Sequence, residues 1–92
     1  MIWIKNAKYL AGHTVRIWFS DGNVSDVDLK DSLRGKIFEP LKDPDEFAKV
    51  KYSGDLETIF WDSGADFAPE YLYDLAQKQR KQASTKPIAS QG

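Results

Sequence analysis

The chain has 92 residues, with 13 Lys/Arg, 14 Asp/Glu and no cysteine, for a net charge of −1. This length predicts one small domain. The lack of cysteine excludes a disulfide framework, a thiolate zinc site and a cysteine nucleophile. We expect a cytoplasmic protein, because small secreted domains often need disulfides and the sequence shows neither a signal peptide nor an apolar run long enough for a membrane span.

The charge is unevenly distributed along the chain. Residues 77–92 hold four of the 13 basic residues and none of the acidic ones, so residues 1–76 form an acidic body. An acidic body is a poor surface for duplex DNA. The basic segment could contact nucleic acid, or it could be a solvated terminus. We predict one domain over residues 1–81, followed by a disordered basic and polar tail over residues 82–92.

The first third of the chain predicts antiparallel strands. After a first strand over residues 2–9, the segment TVRIWF alternates with a period of two. Arg16 and Trp18 should therefore face away from the side that carries the valine, isoleucine and phenylalanine of this segment. Asp21 and Gly22 then predict a tight hairpin turn. The return strand, NVSDVDL, needs a bulge near residues 25–26 if all its apolar side chains are to share one face.

The middle of the chain predicts a short helix at DPDEF, because Asp43 can cap it and Pro44 suits its first turn. A strand and turn at VKYSGD and a last strand at LETIFW follow. The fold class is therefore α+β, a small hairpin-rich antiparallel sheet of about four to five strands, with this short middle helix and a C-terminal helix packed on one face.

The segment WDSGADFAPEYLYDLA resembles a functional motif, but it can be explained as one strand–turn–helix junction. Trp61 can fill the core, and Gly64 can permit the turn. Asp66 and Pro69 can start the helix, and Glu70 lies where the helix dipole favours an anion. Leu72 can then dock the helix on the core. Either Asp66 or Ala68 caps the helix.

The usual catalytic groups are missing from the sequence. His13, the only histidine, falls in a predicted turn, where an exposed side chain with no role is a simpler interpretation than a catalytic base. Asp26 and Asp28 share one side of a strand and could hold a hard cation, although solvated side chains are the simpler interpretation. We expect no catalytic residue, no metal site and no cofactor.

Aromatic residues on the predicted sheet are the most unusual feature. Trp18 and Phe60 should point to the face that the helices leave open, with Arg16 beside Trp18. Such a face marks an interface with a partner, unless loops or termini cover it. An RNA-binding platform is less well supported, because only Arg16 supplies a flanking cation.

The segments VRIWFSDGNVSDVDL, GKIFEPLKDPDEFAKV and IFWDSGADFAPEYLYDLA together resemble the bacterial domain family of unknown function DUF2442. The chain departs from that pattern at Asp62 and Ser63, where the family tends to have Pro-Asn. The resemblance implies a small α+β domain with a curved antiparallel sheet and no established catalytic residues. It also implies that some relatives carry a helix-turn-helix domain after this one, and that some resemble partners of a neighbouring small protein in toxin–antitoxin-like pairs.

We therefore expect a non-enzymatic module that binds another small protein or a second copy of itself, with antitoxin-like neutralisation as the concrete form and no membrane contact. The alternative is a nucleic-acid-associated component of a transcriptional regulator that uses the basic C-terminal tail.

Overall fold

The computed structural model describes the backbone of residues 1–91 and the side chains of residues 1–82. Within this part of the chain, the elements are the strands β1 Ile4–Ala11, β2 Thr14–Phe19, β3 Val24–Asp28, β4 Lys51–Ser53 and β5 Thr58–Phe60, the helices α1 Pro44–Phe47 and α2 Pro69–Gln91, and 3₁₀ turns at Lys30–Ser32 and Lys36–Lys42. The strands pair antiparallel in two sheets, one of order β1-β2-β3 and one of order β4-β5.

The predicted α+β class and strand number are confirmed, but the strands form two sheets instead of one. The predicted disordered tail, residues 82–92, falls almost entirely outside the residues whose side chains are described, so it stays a prediction. No helix among the described residues is both long and apolar enough to cross a membrane.

The three-stranded sheet follows the alternation of the sequence. Val15, Ile17 and Phe19 are buried, as predicted, while the residues between them remain half-buried. The predicted bulge in β3 is wrong, because the register between β2 and β3 continues without a shift. Val24 therefore points to the outer side, where its side chain is 44% exposed. The irregularities lie in β1 instead, which meets the straight strand β2 with two register shifts.

The two sheets adjoin at the start of β1. The Ile4 N–H donates to the carbonyl of Glu57 at 2.9 Å, and the Tyr52 hydroxyl donates to the carbonyl of Ile4 at 2.9 Å. Because Ile4 is fully buried, its N–H and C=O groups have no access to water, and these two hydrogen bonds give them partners within the protein.

Helix α2 packs against the buried side of the three-stranded sheet. Leu72 and Ala76, one turn apart, are buried, and Tyr73 meets the ring of Phe19 edge-on at 5.1 Å between centroids. The predicted docking of Leu72, on a helix that packs on one face of the sheet, is therefore confirmed.

The middle helix begins as the sequence predicts. The Asp43 carboxylate accepts the N–H of Asp45 at 3.0 Å, and Pro44 occupies the first turn. His13 is half-buried and contacts this region, because its Nε2 lies 3.0 Å from the carbonyl oxygen of Leu41 and its ring meets Phe47 edge-on at 4.9 Å. The prediction of an exposed histidine is therefore wrong, because the ring packs against the core.

Candidate functional site

The outer side of the three-stranded sheet faces solvent. We call this surface the outer sheet face. Its side chains are all exposed or half-buried, in contrast to the buried opposite side: Asn6, Lys8, Thr14, Arg16, Trp18, Val24, Asp26 and Asp28. The prediction that Arg16 and Trp18 lie on the side opposite the core is confirmed by this burial pattern.

One corner of the outer sheet face is apolar. Trp18 lies directly opposite Val24 on the neighbouring strand, at a position where cross-strand side chains come close together. Trp3 immediately precedes the buried Ile4 and is 41% exposed. Its backbone exchanges two hydrogen bonds with Ser20, N–H to Oγ at 3.2 Å and carbonyl to N–H at 2.9 Å. These bonds hold Trp3 beside the end of β2.

The middle of the outer sheet face carries an ion pair. Arg16 lies opposite Asp26 and donates to its two carboxylate oxygens, from Nε at 2.8 Å and from Nη2 at 3.2 Å. The hydrogen bond from Arg16 lowers the pKa of Asp26 below its ordinary value, and the same contact raises the pKa of Arg16. The Asp26 carboxylate therefore binds the guanidinium of Arg16. The alternative from the sequence was a cation shared with Asp28.

Phe60 lies elsewhere in the fold. It is half-buried in the two-stranded sheet, opposite Lys51 and bridged to Asp66. The structure thus brings Arg16 and Trp18 together on one strand but places Phe60 in another sheet. Val24 on the outer sheet face and Trp3 just before β1 are exposed apolar residues that sequence reasoning did not select. If the sequence of β3 had been interpreted as strictly alternating, without a bulge, it would have predicted that Val24 faces outward.

The junction at Trp61 is a buried corner. The indole Nε1 donates to the carbonyl of Phe47 at 3.0 Å, and the side chain is only 3% exposed. The chain then turns, since the Gly64 N–H donates to the Trp61 carbonyl and the Trp61 N–H donates to the Ala65 carbonyl, both at 2.9 Å. Gly64 has a φ of +101°, a conformation that favours glycine.

The start of α2 settles which residue caps it. The Leu72 N–H donates to the carbonyl of Ala68 at 3.1 Å, which places Ala68 at the N-cap and Pro69 at the first helical position. Asp66 instead bridges to Phe60. Glu70 lies in the first turn, where the helix dipole favours an anion.

The hairpin turn between β2 and β3 is tied to α2. Gly22 has a φ of +95°, and the Asp21 carboxylate accepts the N–H of Asn23 at 3.0 Å. The Tyr73 hydroxyl donates to the same carboxylate at 2.6 Å. This hydrogen bond is the main cause that lowers the pKa of Asp21. Asp21 thus holds the hairpin against the helix, while Gly22 allows the turn itself. Within the described residues, no group of three or more His, Cys, Asp or Glu side chains could hold a metal ion.

The fold and its surfaces define a small α+β domain with a solvent-facing sheet side. The sequence pattern of DUF2442, described as a protein of unknown function, matches residues 4–78, so the chain belongs to that family. No curated protein matches the chain significantly.

One solved structure is similar, that of a "putative DNA binding protein" from Nitrosomonas europaea ATCC 19718, with a TM-score of 0.75 and 28% sequence identity. The similarity covers 88% of this chain and 52% of that one. The chain thus spans about half the length of this relative.

Proposed function

We propose that the chain is a non-enzymatic cytoplasmic module that binds another protein through its outer sheet face. The observation that supports this function is an apolar corner at the end of β2. It consists of Val24, which is 44% exposed opposite the half-buried Trp18, and of Trp3, which is 41% exposed and held by its backbone to Ser20. Exposed apolar side chains that neighbour one another mark interaction sites. Tryptophan is among the residues that contribute most to binding energy at protein interfaces.

The charges around the apolar corner favour a protein over a nucleic acid. Lys8 and Arg16 are balanced on the same face by Asp26 and Asp28, and Arg16 is already bound to Asp26. A polar, neutral rim around an apolar centre is typical of protein interfaces. Phosphate backbones select uncompensated basic surfaces.

The partner that we propose is a second copy of the chain or another small protein, with antitoxin-like neutralisation of a neighbour as the concrete form. Phe60 would belong to the contact only if the partner also reached the two-stranded sheet. The substitution Trp3→Asp tests the surface, because Trp3 is exposed and its backbone hydrogen bonds do not depend on the side chain. Leu56→Asp is the matched control, since Leu56 is 57% exposed and lies outside the three-stranded sheet.

The experiment has two arms. Sedimentation velocity over a range of concentrations measures self-association, and affinity capture from native lysate, with and without nuclease, measures binding to another protein. We expect a complex in one arm that survives nuclease, is lost with Trp3→Asp and is kept with Leu56→Asp. A complex that forms equally with Trp3→Asp would refute the proposed surface.

A second candidate is association with nucleic acid through the basic C-terminal segment. It is supported by the name of the Nitrosomonas relative and by Lys78 and Lys81 on α2. Truncation after Ala76 would be a poor test, because it also removes Gln79 and Arg80, which bind β3.

A more specific test of this candidate is the double variant Lys78→Gln/Lys81→Gln, which keeps Gln79 and Arg80. We expect it to reduce the salt dependence of any DNA or RNA binding by roughly one to two phosphate contacts. Lys36→Gln, an exposed position outside α2, is the control. Binding whose salt dependence is the same in both variants would exclude the segment.

A further inference from the structure

A groove runs between the edge strand β3 and helix α2. We call it the edge groove. Its volume is about 390 Å³, and most of the side chains that line it are charged or polar: Arg16, Val24, Ser25 and Asp26 from the sheet, and Ala76, Gln79 and Arg80 from the helix. It lies at one border of the outer sheet face, but the exposed Trp3 does not line it.

The helix wall of the edge groove is fixed to β3 by side chains. The Gln79 amide accepts the N–H of Asp28 at 2.9 Å and donates to the Asp28 carbonyl at 2.8 Å. It thereby satisfies both backbone groups that this edge residue presents away from β2. These two hydrogen bonds therefore fix the helix wall of the groove against β3.

Arg80 carries a charge that no carboxylate offsets. Its Nη2 donates to Ser25 Oγ at 2.6 Å and to the Val24 carbonyl at 3.3 Å, and its Nη1 donates to Asn23 Oδ1 at 3.4 Å. All three acceptors are neutral. Among the described residues, the ion pairs do not include Arg80.

The edge groove differs in charge from two other cavities on the chain. Two arginines and one aspartate line it, which gives a net charge of about +1. One of the others is lined by Asp28, Asp31 and Lys78, and the second by Glu46, Asp62 and Lys49. Both of these linings are net negative, so the edge groove is the cavity of the three that attracts an anion.

Donor hydrogens on three residues of the groove lining remain available for a ligand. Arg16 gives one hydrogen each from Nε and Nη2 to Asp26 and retains the hydrogens of Nη1. Arg80 donates from both Nη atoms to its neutral acceptors and retains the hydrogen of Nε. The Ser25 hydroxyl accepts from Arg80, so its own hydrogen can be donated elsewhere.

Donors from three residues suit an anion with at least three accepting oxygens, and guanidinium groups bind such oxygens strongly. A carboxylate offers only two oxygens. We propose that the edge groove binds a phosphate group through Arg80, Arg16 and Ser25. The phosphate is either free or part of a phosphodiester. The groove shares Arg16, Val24 and Asp26 with the outer sheet face, whereas Arg80 lies on α2 outside that face. The phosphate site can therefore be tested separately from the protein interface through Arg80.

The test is an NMR titration of the full chain at constant ionic strength. One arm uses inorganic phosphate, one uses a short oligothymidylate, and sodium chloride is the reference. We expect saturable shifts of the Arg80 Nε–H and Asp26 N–H signals in at least one phosphate arm and none with chloride. Shifts with inorganic phosphate alone indicate a small-molecule source. Tighter binding of the oligothymidylate indicates a phosphodiester.

Two variants move the affinity in opposite directions. Arg80→Gln should weaken phosphate binding by about tenfold or more, because it removes the uncompensated charge. Asp26→Asn should strengthen it by a few-fold to about tenfold, because it removes the competing carboxylate and releases Arg16. Lys36→Gln should bind like the parent, which separates the groove from overall charge.

Thermal melts show whether each variant folds. Asp26 makes no hydrogen bond to α2 in the described structure, so Asp26→Asn still decides the question if Arg80→Gln fails to fold. The proposal is overturned if neither phosphate arm gives saturable shifts, if folded Arg80→Gln binds like the parent, or if Asp26→Asn binds more weakly.

Discussion

Replacing Gly64 by alanine isolates the role of backbone conformation in the Trp61 junction. Gly64 has a φ of +101°, and an added Cβ would meet only Ile37 Cδ1 at 3.8 Å, an ordinary contact. The cost is therefore conformational strain of about 1–3 kcal/mol. Alanine also reduces the entropy of the unfolded chain, which returns about 0.4–1 kcal/mol. We expect a net destabilisation of about 1–2 kcal/mol, or roughly 4–15 °C in Tm for a domain of this size.

The matched control is Gly54→Ala. Gly54 does not have a positive φ, and its added Cβ would lie 4.0 Å from the Tyr52 hydroxyl. The unfolded-state term then acts without strain, so this variant should melt at the parent temperature or slightly above it. Thermal melts followed by circular dichroism compare the two. Equal melting temperatures for the two variants would refute the assignment of Gly64 to a structural turn.

Three further outcomes follow from the contacts of the core and of α2. Trp61→Phe should lower the unfolding free energy by about 1–3 kcal/mol, as chemical denaturation can measure, because the indole hydrogen bond and part of the buried ring are lost. Gln79→Leu should speed hydrogen exchange at the Asp28 amide by about tenfold, because the edge of β3 loses its partner. The lowered pKa of Asp21 contributes stability that is present above about pH 4 and is lost as the pH falls through the folded pKa. Tyr73→Phe should therefore flatten this acid dependence in melts from pH 6 to pH 2.

The parts of the fold that local patterns determine could be predicted from the sequence. The alternation of β2 identified its buried face, since a strand must present every second residue to one side. The Asp43 cap and the helix start at Pro69 depend on neighbouring residues alone. The turn at Gly22 has the positive φ that its sequence requires.

The parts that depend on distant contacts could not be predicted. The Gln79–Asp28 and Tyr73–Asp21 hydrogen bonds each join residues about fifty positions apart. Nothing in either segment reveals its partner. Val24 was assigned wrongly because valine is usually buried, whereas the uninterrupted register of β3 decided its orientation.

The outer sheet face and the edge groove share a border, so only substitutions at residues that belong to one surface alone can distinguish binding at the two. Val24 lies on the outer sheet face and also lines the edge groove, so an acidic substitution there would weaken both kinds of binding and separate neither. Trp3 belongs to the first surface alone and Arg80 to the second alone. Loss of protein binding with Trp3→Asp and loss of phosphate binding with Arg80→Gln, each without the other, would show two independent sites. If each substitution abolished both kinds of binding in a folded variant, the outer sheet face and the edge groove would form one site.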